Sequence, residues 1–342
     1  MQPIPLVRKV ALAPAISHLT TQGVPVDRYL RVAKLSAPTP DTYESLIPLR
    51  QLCVFLNSVA DGEGIHDLGF HIAGPLGMEF LGAYGRMVAE ALTFHETIQI
   101  SSEMCWTYNS GLRIWLERHG DQVKYCLKHT ETLPPGGNTV IDHMGLANAL
   151  AAGGIDLGSS WRPSRIELPT DPIDLGIHFP ELHDIPVRFN QPYTAIWFDS
   201  KWLSRPLPLY ELSLIPRADD NERASFLTAS PSRIPVGQLG QAIESALGHP
   251  EIGLQMTAAI VGMSSRTIQR HLAEEGQSFS RLLQSVRFRM AQQYLRETSM
   301  PLTEIASRLS YADLSNFIRA FKRWTGVGPN EFRKLHKEDR HE

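Results

Sequence analysis

One short segment carries side chains that could form paired hydrogen bonds with nucleic-acid bases. The segment GMSSRTIQRHLAEEG runs from Gly262 to Gly276. Arg266, Gln269 and Arg270 lie three and four residues apart within it, so a helix places them on one outward face. Arginine can pair with two acceptors of guanine, and glutamine can pair with adenine through two hydrogen bonds. The spacing therefore predicts a helix that enters the major groove of DNA.

A helix-turn-helix is the element that would position these side chains. Such a motif needs a small residue where its helices cross, and its turn favours glycine because one turn residue has positive φ. Ala258 and Gly262 meet these needs, and Ser264 is placed to cap the second helix. Ile268 and Leu272 supply the apolar anchors on the inward side of that helix.

The same arrangement occurs a second time further along the chain. Ala306 matches Ala258 at an offset of 48 residues, whereas Phe317 matches Ile268 at an offset of 49. The second helix-turn-helix therefore has one extra residue in its turn. We place this turn at Ser310 and the residue after it. Two helix-turn-helix motifs in tandem predict a DNA-binding domain far more specifically than one.

The second unit presents a less polar outer face than the first. Leu314, Ser315, Ile318 and Lys322 occupy that face, which predicts weaker base readout and more contact between basic side chains and phosphates. The residues expected to contact DNA are Ser265, Arg266, Gln269, Arg270, Leu314, Ser315, Ile318, Arg319, Lys322 and Arg323.

A long amphipathic segment separates the two units. The residues between 278 and 298 place their apolar side chains on one helical face, which predicts a single helix. About 20 residues of helix measure about 30 Å, and the major groove recurs on one side of DNA about every 34–36 Å. A rod of that length can hold two recognition helices in successive grooves.

The remaining pattern predicts two domains with a linker between them. We expect an α+β domain over 1–214, a linker rich in Pro, Ser and charge over 215–237, and an all-α domain over 238–342. In the first domain, alternating segments predict a hairpin over 111–130, and a helical run covers about 81–105. Other expected elements are helices at 49–64 and 137–152 and extended segments at 164–170 and 185–199.

Charge is distributed unevenly between these regions. Residues 1–236 hold 19 basic and 25 acidic side chains, whereas residues 237–342 hold 14 basic and 11 acidic ones. Within 266–334 there are 12 basic and 6 acidic side chains. Positive charge concentrated in the last third of a chain is the pattern of an anion-binding module.

The sequence gives little support for catalysis, cofactor binding or metal binding. Neither a nucleophile elbow, nor a phosphate-binding glycine loop, nor a dinucleotide fingerprint is present, so we predict no enzyme and no cofactor. His66 and His71, like His178 and His183, are five residues apart, which suits neither one helix face nor a zinc pair, and we predict no metal site. The three cysteines are far apart and are expected to be free thiols.

Four aromatic residues leave two interpretations open. Trp106, Tyr108, Trp115 and Tyr125 could line a ligand pocket or could belong to the hydrophobic core. No uncharged apolar stretch of about 18 residues appears, so we expect no membrane span and a cytoplasmic protein.

The motifs of the last third resemble the AraC/XylS family of bacterial transcription regulators. The resemblance is carried by GMSSRTIQRHLAEEGQSFSRLL and PLTEIASRLSYADLSNFIRAFKRWTGVGPNEFRK and extends across about 100 residues of the chain. The second segment matches the family pattern at Ile305, Ala306, Asp313, Ser315, Phe317, Arg319, Phe321, Lys322, Gly326 and Pro329. It departs from that pattern at Ser310, where the family usually has glycine, and at Tyr311, where it usually has phenylalanine.

The first part of the chain is similar, more loosely, to the effector-binding domain of a subgroup often compared with arabinose binding. The resemblance implies a regulator, more often an activator than a repressor, with a sensory and dimerising N-terminal domain. We therefore expect four partners: double-stranded promoter DNA, a small-molecule effector, RNA polymerase and a second copy of the chain. The alternative is an enzyme-like or non-sensing N-terminal domain fused to a DNA-binding module, and an amino acid, a fatty acid or an aromatic acid could each be the effector.

Overall fold

The computed structural model of the chain describes residues 1–73, 81–130, 137–157, 161–207 and 218–338. The chain divides into two compact units. One unit is Pro5–Pro231, and the other combines Met1–Ile4 with Ser232–Glu342. The domain boundaries expected at 214 and 238 stay a prediction. No helix of the described residues is both long and apolar enough to cross a membrane.

The unit of Pro5–Pro231, called the N-terminal unit below, mixes helices and strands. This composition confirms the predicted α+β class. Its helices are α1 (Ala13–Thr21), α2 (Val26–Val32), α3 (Leu49–Glu63), α4 (Leu68–Ile72), α5 (Gly82–Val88), α6 (Phe94–Tyr108), α7 (Thr139–Leu157) and α8 (Asp220–Thr228). Its strands are β1 (Leu6–Arg8), β2 (Leu46–Pro48), β3 (Leu112–His119), β4 (Gln122–His129), β5 (Arg165–Glu167), β6 (Val187–Arg188) and β7 (Thr194–Asp199).

Five of these strands form one sheet in the order β3-β4-β7-β5-β6. All neighbours are antiparallel except β5 and β6, which are parallel. The hairpin predicted over 111–130 is confirmed as β3 and β4, and Gly120 in its turn has a φ of 67°. Val123, Tyr125 and Leu127 alternate along β4 and are buried in a core that also contains residues of α6 and α7.

The run predicted as one helix over 81–105 is instead two helices, α5 and α6. A side-chain N-cap ends the interruption between them, because the Thr93 hydroxyl accepts from the Glu96 N–H at 3.2 Å. The Glu96 carboxylate in turn accepts from the Leu92 N–H at 2.7 Å. The Thr-x-x-Glu spacing is the signal that marks this helix start in the sequence.

Helix α8 lies inside the segment 215–237 that the sequence predicts as a linker. Its Phe226 is fully buried, and Arg8, also fully buried, donates to the Phe226 carbonyl oxygen at 2.7 Å and to the Thr107 carbonyl oxygen at 3.0 Å. The Arg8 guanidinium also lies 4.4 Å from the centroid of the Phe226 ring. Burial lowers the pKa of Arg8 to about 10. Helix α8 is therefore a packed part of the N-terminal unit.

The other unit, called the C-terminal unit below, contains only helices among its described elements. This confirms the predicted all-α class. The helices are α9 (Pro235–Ser245), α10 (Leu254–Val261), α11 (Ser265–Glu274), α12 (Phe279–Glu297), α13 (Leu302–Arg308), α14 (Leu314–Thr325) and α15 (Pro329–Glu338). The long helix α12 contacts α9, α11 and α15.

Both helix-turn-helix turns contain a residue with positive φ. Gly262, between α10 and α11, has a φ of 72°, and Ser310, between α13 and α14, has a φ of 57°. A residue with a Cβ pays a steric cost in this conformation, which glycine avoids. The Ser310 hydroxyl accepts a hydrogen bond from the Gly248 N–H at 2.8 Å, and this contact offsets part of the cost.

Substitutions of Ser310 should separate the two effects. Ser310→Ala keeps the strained backbone and loses the hydrogen bond, so we expect it to lower the free energy of unfolding by about 1 kcal/mol. Ser310→Gly loses the same bond but relieves a backbone cost of about 1 kcal/mol, so its stability should stay near that of the unmodified protein. Urea denaturation checks both values. A glycine variant as unstable as the alanine variant would contradict the account.

Candidate nucleic-acid interface

The first helix-turn-helix consists of α10 and α11, and its second helix starts as the sequence predicts. The Ser264 hydroxyl accepts from the Thr267 N–H at 3.1 Å, which caps α11. Ile268 and Leu272 are fully buried and hold the helix against the unit. The register of these two anchors decides which side chains of α11 point to solvent.

The exposed face of α11 carries the side chains expected to read bases. Arg266, Gln269 and Arg270 are all exposed, and Ser265 at the helix start is half-buried. The structure thus brings the four predicted residues of this helix to one side, away from Ile268 and its partner anchor. The side chains of Arg266, Gln269 and Arg270 are accessible there to a partner molecule.

The charges on α11 distinguish its two arginines. The Arg270 Nε lies 3.7 Å from a carboxylate oxygen of Glu274, one turn later in the helix. A hydrogen bond from His271 lowers the pKa of Glu274, with a smaller contribution from Arg270. Arg266 forms no ion pair with any residue that the structure describes. To bind a base, Arg270 must therefore give up part of its interaction with Glu274, whereas Arg266 has no ion pair to give up.

The second helix-turn-helix consists of α13 and α14. An Asp313 carboxylate oxygen accepts from the Asn316 N–H at 2.7 Å and caps α14. The Asn316 side chain bonds to Asp313 at 2.6 Å and accepts from Arg319 at 2.5 Å. Phe317 and Phe321 are fully buried and anchor the helix. Arg319 is therefore held by a short chain of hydrogen bonds along its own helix.

The outer face of α14 combines apolar and basic side chains. Leu314 and Ile318 are half-buried, whereas Ser315, Lys322 and Arg323 are exposed. Lys322 and Arg323 form no ion pair within the described part of the chain, so both charges remain available to an anion. That the second helix-turn-helix contacts phosphates more than bases stays a prediction.

Helix α12 packs against the second helix-turn-helix through two residues that no motif in the sequence marks. The Phe288 ring lies 6.1 Å from the Phe321 ring and 5.3 Å from the Trp324 ring, measured between centroids. Arg287 donates to the Ser310 carbonyl oxygen at 2.9 Å and lies 4.7 Å from the Tyr311 ring centroid. An aromatic and a basic residue that follow one another in α12 thus hold the second turn in place.

An open groove of about 450 Å³ lies where Arg287 meets Tyr311. These two residues line it together with Arg319, Arg323 and others. Burial lowers the pKa of Arg287 and raises the pKa of Tyr311. The Nε of Arg287 has no hydrogen-bond partner among the described residues. Three guanidinium groups around one groove can hold a phosphate oxygen. The only signal of Arg287 in the sequence is a basic residue inside a mainly apolar helix face.

The four aromatic residues considered as ligand contacts do not gather in one place. Tyr108 and Tyr125 line a cavity of about 130 Å³ in the N-terminal unit. Trp106 does not line it and donates from its indole N–H to the Pro231 carbonyl oxygen at 3.4 Å. Trp115 does not line it either, since it packs on Tyr193 with ring centroids 4.9 Å apart. The structure therefore brings together two of the four.

Comparison with known proteins finds two family models along the chain. A model described as the arabinose-binding domain of AraC transcription regulator, N-term, matches residues 23–207, and one described as a helix-turn-helix domain matches residues 257–335. Neither matching model describes an enzyme.

Several regulators are similar over most of their length. The ornithine utilization regulator of Pseudomonas aeruginosa is 28% identical over 270 residues, which cover 78% of this chain and 78% of that protein. The HTH-type transcriptional regulator VirS of Mycobacterium tuberculosis is 23% identical, covering 97% of this chain and 90% of its own. The crystal structure of the transcriptional regulator CdpR from Pseudomonas aeruginosa matches with a TM-score of 0.42 and 22% identity, covering 95% of this chain and 98% of that one.

Removing an arginine from α11 should weaken binding at the cognate DNA site and relax base preference there. For Arg266→Ala we expect a loss of about 1–3 kcal/mol on the cognate duplex and a much smaller loss on random duplex. Fluorescence anisotropy on both duplexes checks the difference. Arg188→Ala, which removes the same charge from an exposed site of the N-terminal unit, is the matched control. Equal losses on both duplexes would make Arg266 a phosphate contact.

Removing a basic residue from α14 should act evenly on all sequences. Lys322→Ala should weaken binding to cognate and random DNA alike and lower the slope of log affinity against log salt by about 1, because one fewer counterion is released. A series of anisotropy titrations at increasing salt gives this slope. A slope equal to that of the unmodified protein would place Lys322 outside the interface.

Proposed function

The chain belongs to the AraC family of transcription regulators, and on this premise we propose that it activates transcription when a small molecule binds its N-terminal unit. DNA recognition is carried by one observation above all. A capped helix with three outward polar side chains, Arg266, Gln269 and Arg270, belongs to a helix-turn-helix that occurs twice in the unit. We assign DNA recognition to the predicted contact residues of both helix-turn-helix motifs.

The two recognition helices have different tasks in this proposal. Helix α11 reads bases, because its exposed arginine and glutamine side chains suit guanine and adenine edges. Helix α14 fixes position and register through Arg319, Lys322 and Arg323, which contact phosphates. The 19 residues of α12 span about 28 Å, a length suited to adjacent major grooves on one side of the duplex.

The proposed effector site is the cavity of the N-terminal unit. Its described lining residues are Leu81 and residues of α5, α6, α7 and the β3–β4 hairpin, and none of them carries a charge. Tyr84 and Tyr108 stack with ring centroids 4.8 Å apart at one wall, and Thr97, Ser101 and Asn148 supply polar groups. The Tyr108 hydroxyl has no hydrogen-bond partner among the described residues, so it is available to a ligand.

The size and polarity of this cavity favour a small neutral ligand. A volume of about 130 Å³ is close to that of the roughly 150 Å³ cavity known to bind benzene, so a single ring fills it. A charged ligand buried without an oppositely charged partner is costly, and the described lining residues offer no such partner. Amino acids, fatty acids and aromatic acids carry charges and therefore suit this cavity poorly, as does the ornithine in the name of the similar Pseudomonas regulator.

Effector binding would act by shifting a pre-existing equilibrium between regulator conformations. A coupling of about 1–3 kcal/mol, which corresponds to about 5- to 150-fold in DNA affinity, is sufficient. We further propose that the regulator works as a homodimer in the cytoplasm and contacts RNA polymerase at the promoter.

The test is DNA binding by the purified full chain, on its own upstream region and on random duplex, with neutral ring compounds added. We expect phenol, indole or benzyl alcohol to change affinity for the upstream duplex, whereas benzoate and ornithine have no effect. Ala149→Leu, which places added methyl groups in the cavity, should abolish the response while DNA binding persists. Tyr108→Phe tests the hydroxyl, and Tyr43→Phe, outside the cavity, is its matched control.

The possible results separate the parts of the proposal. Specific DNA binding without any response to the compounds would favour a non-sensing N-terminal unit. A response to benzoate or ornithine alone would contradict the neutral cavity. Equal affinity for the upstream duplex and for random duplex would mean that the upstream region does not contain the operator.

A further inference from the structure

Two histidines and a carboxylate converge in the N-terminal unit, outside the cavity. Asp67 directly precedes α4, His71 lies one turn later in that helix, and His178 follows the 3-10 turn Leu175–Ile177. An Asp67 carboxylate oxygen, Oδ2, lies 3.2 Å from the His71 Nε2 and 3.0 Å from the His178 Nε2. One candidate ligand atom from each residue lies within 4.8 Å of the other two.

We propose that Asp67, His71 and His178 bind one divalent transition-metal ion, with Zn²⁺ as the expected occupant. Imidazole nitrogens and a carboxylate oxygen are ligands that such ions accept readily. Zn²⁺ binds these atoms at about 2.0–2.2 Å, so ligand atoms at the corners of a tetrahedron lie roughly 3.3 Å apart. The two distances from Asp67 to the histidines are close to this value. The candidate ligand atoms of the two imidazoles lie within 4.8 Å of each other, and they would have to move closer to share one ion.

The surroundings suit an ion that enters from solvent. The His178 side chain is only 8% exposed, and its ring packs against Phe70 with centroids 4.9 Å apart, so its orientation is fixed. The His71 side chain is 42% exposed, which leaves an approach for the ion. The Asp67 carboxylate offsets part of the ionic charge. Three protein ligands leave a fourth position for water or for a group of another molecule.

A metal here would join two segments that are distant in sequence. His71 and His178 are 107 positions apart, and a bound ion would tie α4 to the loop after β5. In the sequence, the histidine nearest to each of these two is five residues away. The relevant partners meet only after folding.

The same distances also fit a group without metal, in which Asp67 accepts hydrogen bonds from both imidazoles. The two arrangements differ in what they bind. A hydrogen-bonded group has no reason to take up Co²⁺ at one equivalent, whereas a site of two nitrogens and one oxygen binds it and gives a visible absorption band. Co²⁺ is therefore the direct spectroscopic probe for the site.

The experiment uses the full chain without a histidine tag, first freed of metal by a chelator and then titrated with Co²⁺ and with Zn²⁺. We expect a visible Co²⁺ band that saturates at one equivalent, displacement of Co²⁺ by Zn²⁺, and a higher unfolding temperature with Zn²⁺. His71→Ala should lose the band and the temperature shift. His183→Ala, whose side chain is 74% exposed and lies outside the cluster, should keep both.

A second variant distinguishes loss of metal binding from misfolding. Asp67→Asn keeps the shape of the side chain and should weaken Co²⁺ binding strongly, while circular dichroism and binding to DNA remain as in the unmodified protein. Absence of a stoichiometric Co²⁺ band would overturn the proposal and leave the hydrogen-bonded group. A band that persists unchanged in His71→Ala would overturn it equally. Neither result depends on the effector or on the DNA interface.

Discussion

The spacing of the two recognition helices depends on one rigid element, α12. A helix rises about 1.5 Å per residue, so the number of residues in α12 sets a fixed distance, unlike a flexible loop. Val286 packs near Gly240 of α9, and Phe288, two residues later and on the opposite face of the helix, packs on Phe321 of α14. The outward direction of Arg266 and of Lys322 therefore follows from the packing of α12 as well as from their own helices.

Local chemistry explains why the C-terminal unit could be predicted closely from its sequence. Ser264, Asp313 and Gly262 act within a few residues of their own positions, so the caps and the first turn are visible as short patterns. The β3–β4 hairpin is equally local. Arg287 and Phe288 escaped prediction because their importance depends on a turn and a helix that lie more than 20 residues further along the chain.

The N-terminal unit was predicted less well, since its candidate sites are assembled from distant segments. Tyr108 and Tyr125 share a cavity, whereas Trp106 and Trp115 point elsewhere, and only the packed helices and strands decide this difference. Asp67 and His178 likewise meet across more than 100 residues of chain. Residue type predicted which side chains could bind a ligand; tertiary packing decided which of them come together.

The C-terminal unit also contains the first four residues, and this has a consequence for biosynthesis. The Ile4 N–H donates to the side-chain oxygen of Gln238 at 2.7 Å, and both residues are buried. Gln238 leaves the ribosome 234 residues after Ile4, a delay on the order of ten seconds or more at ordinary elongation rates. During translation the Ile4 N–H therefore cannot form this hydrogen bond until the whole N-terminal unit has been made.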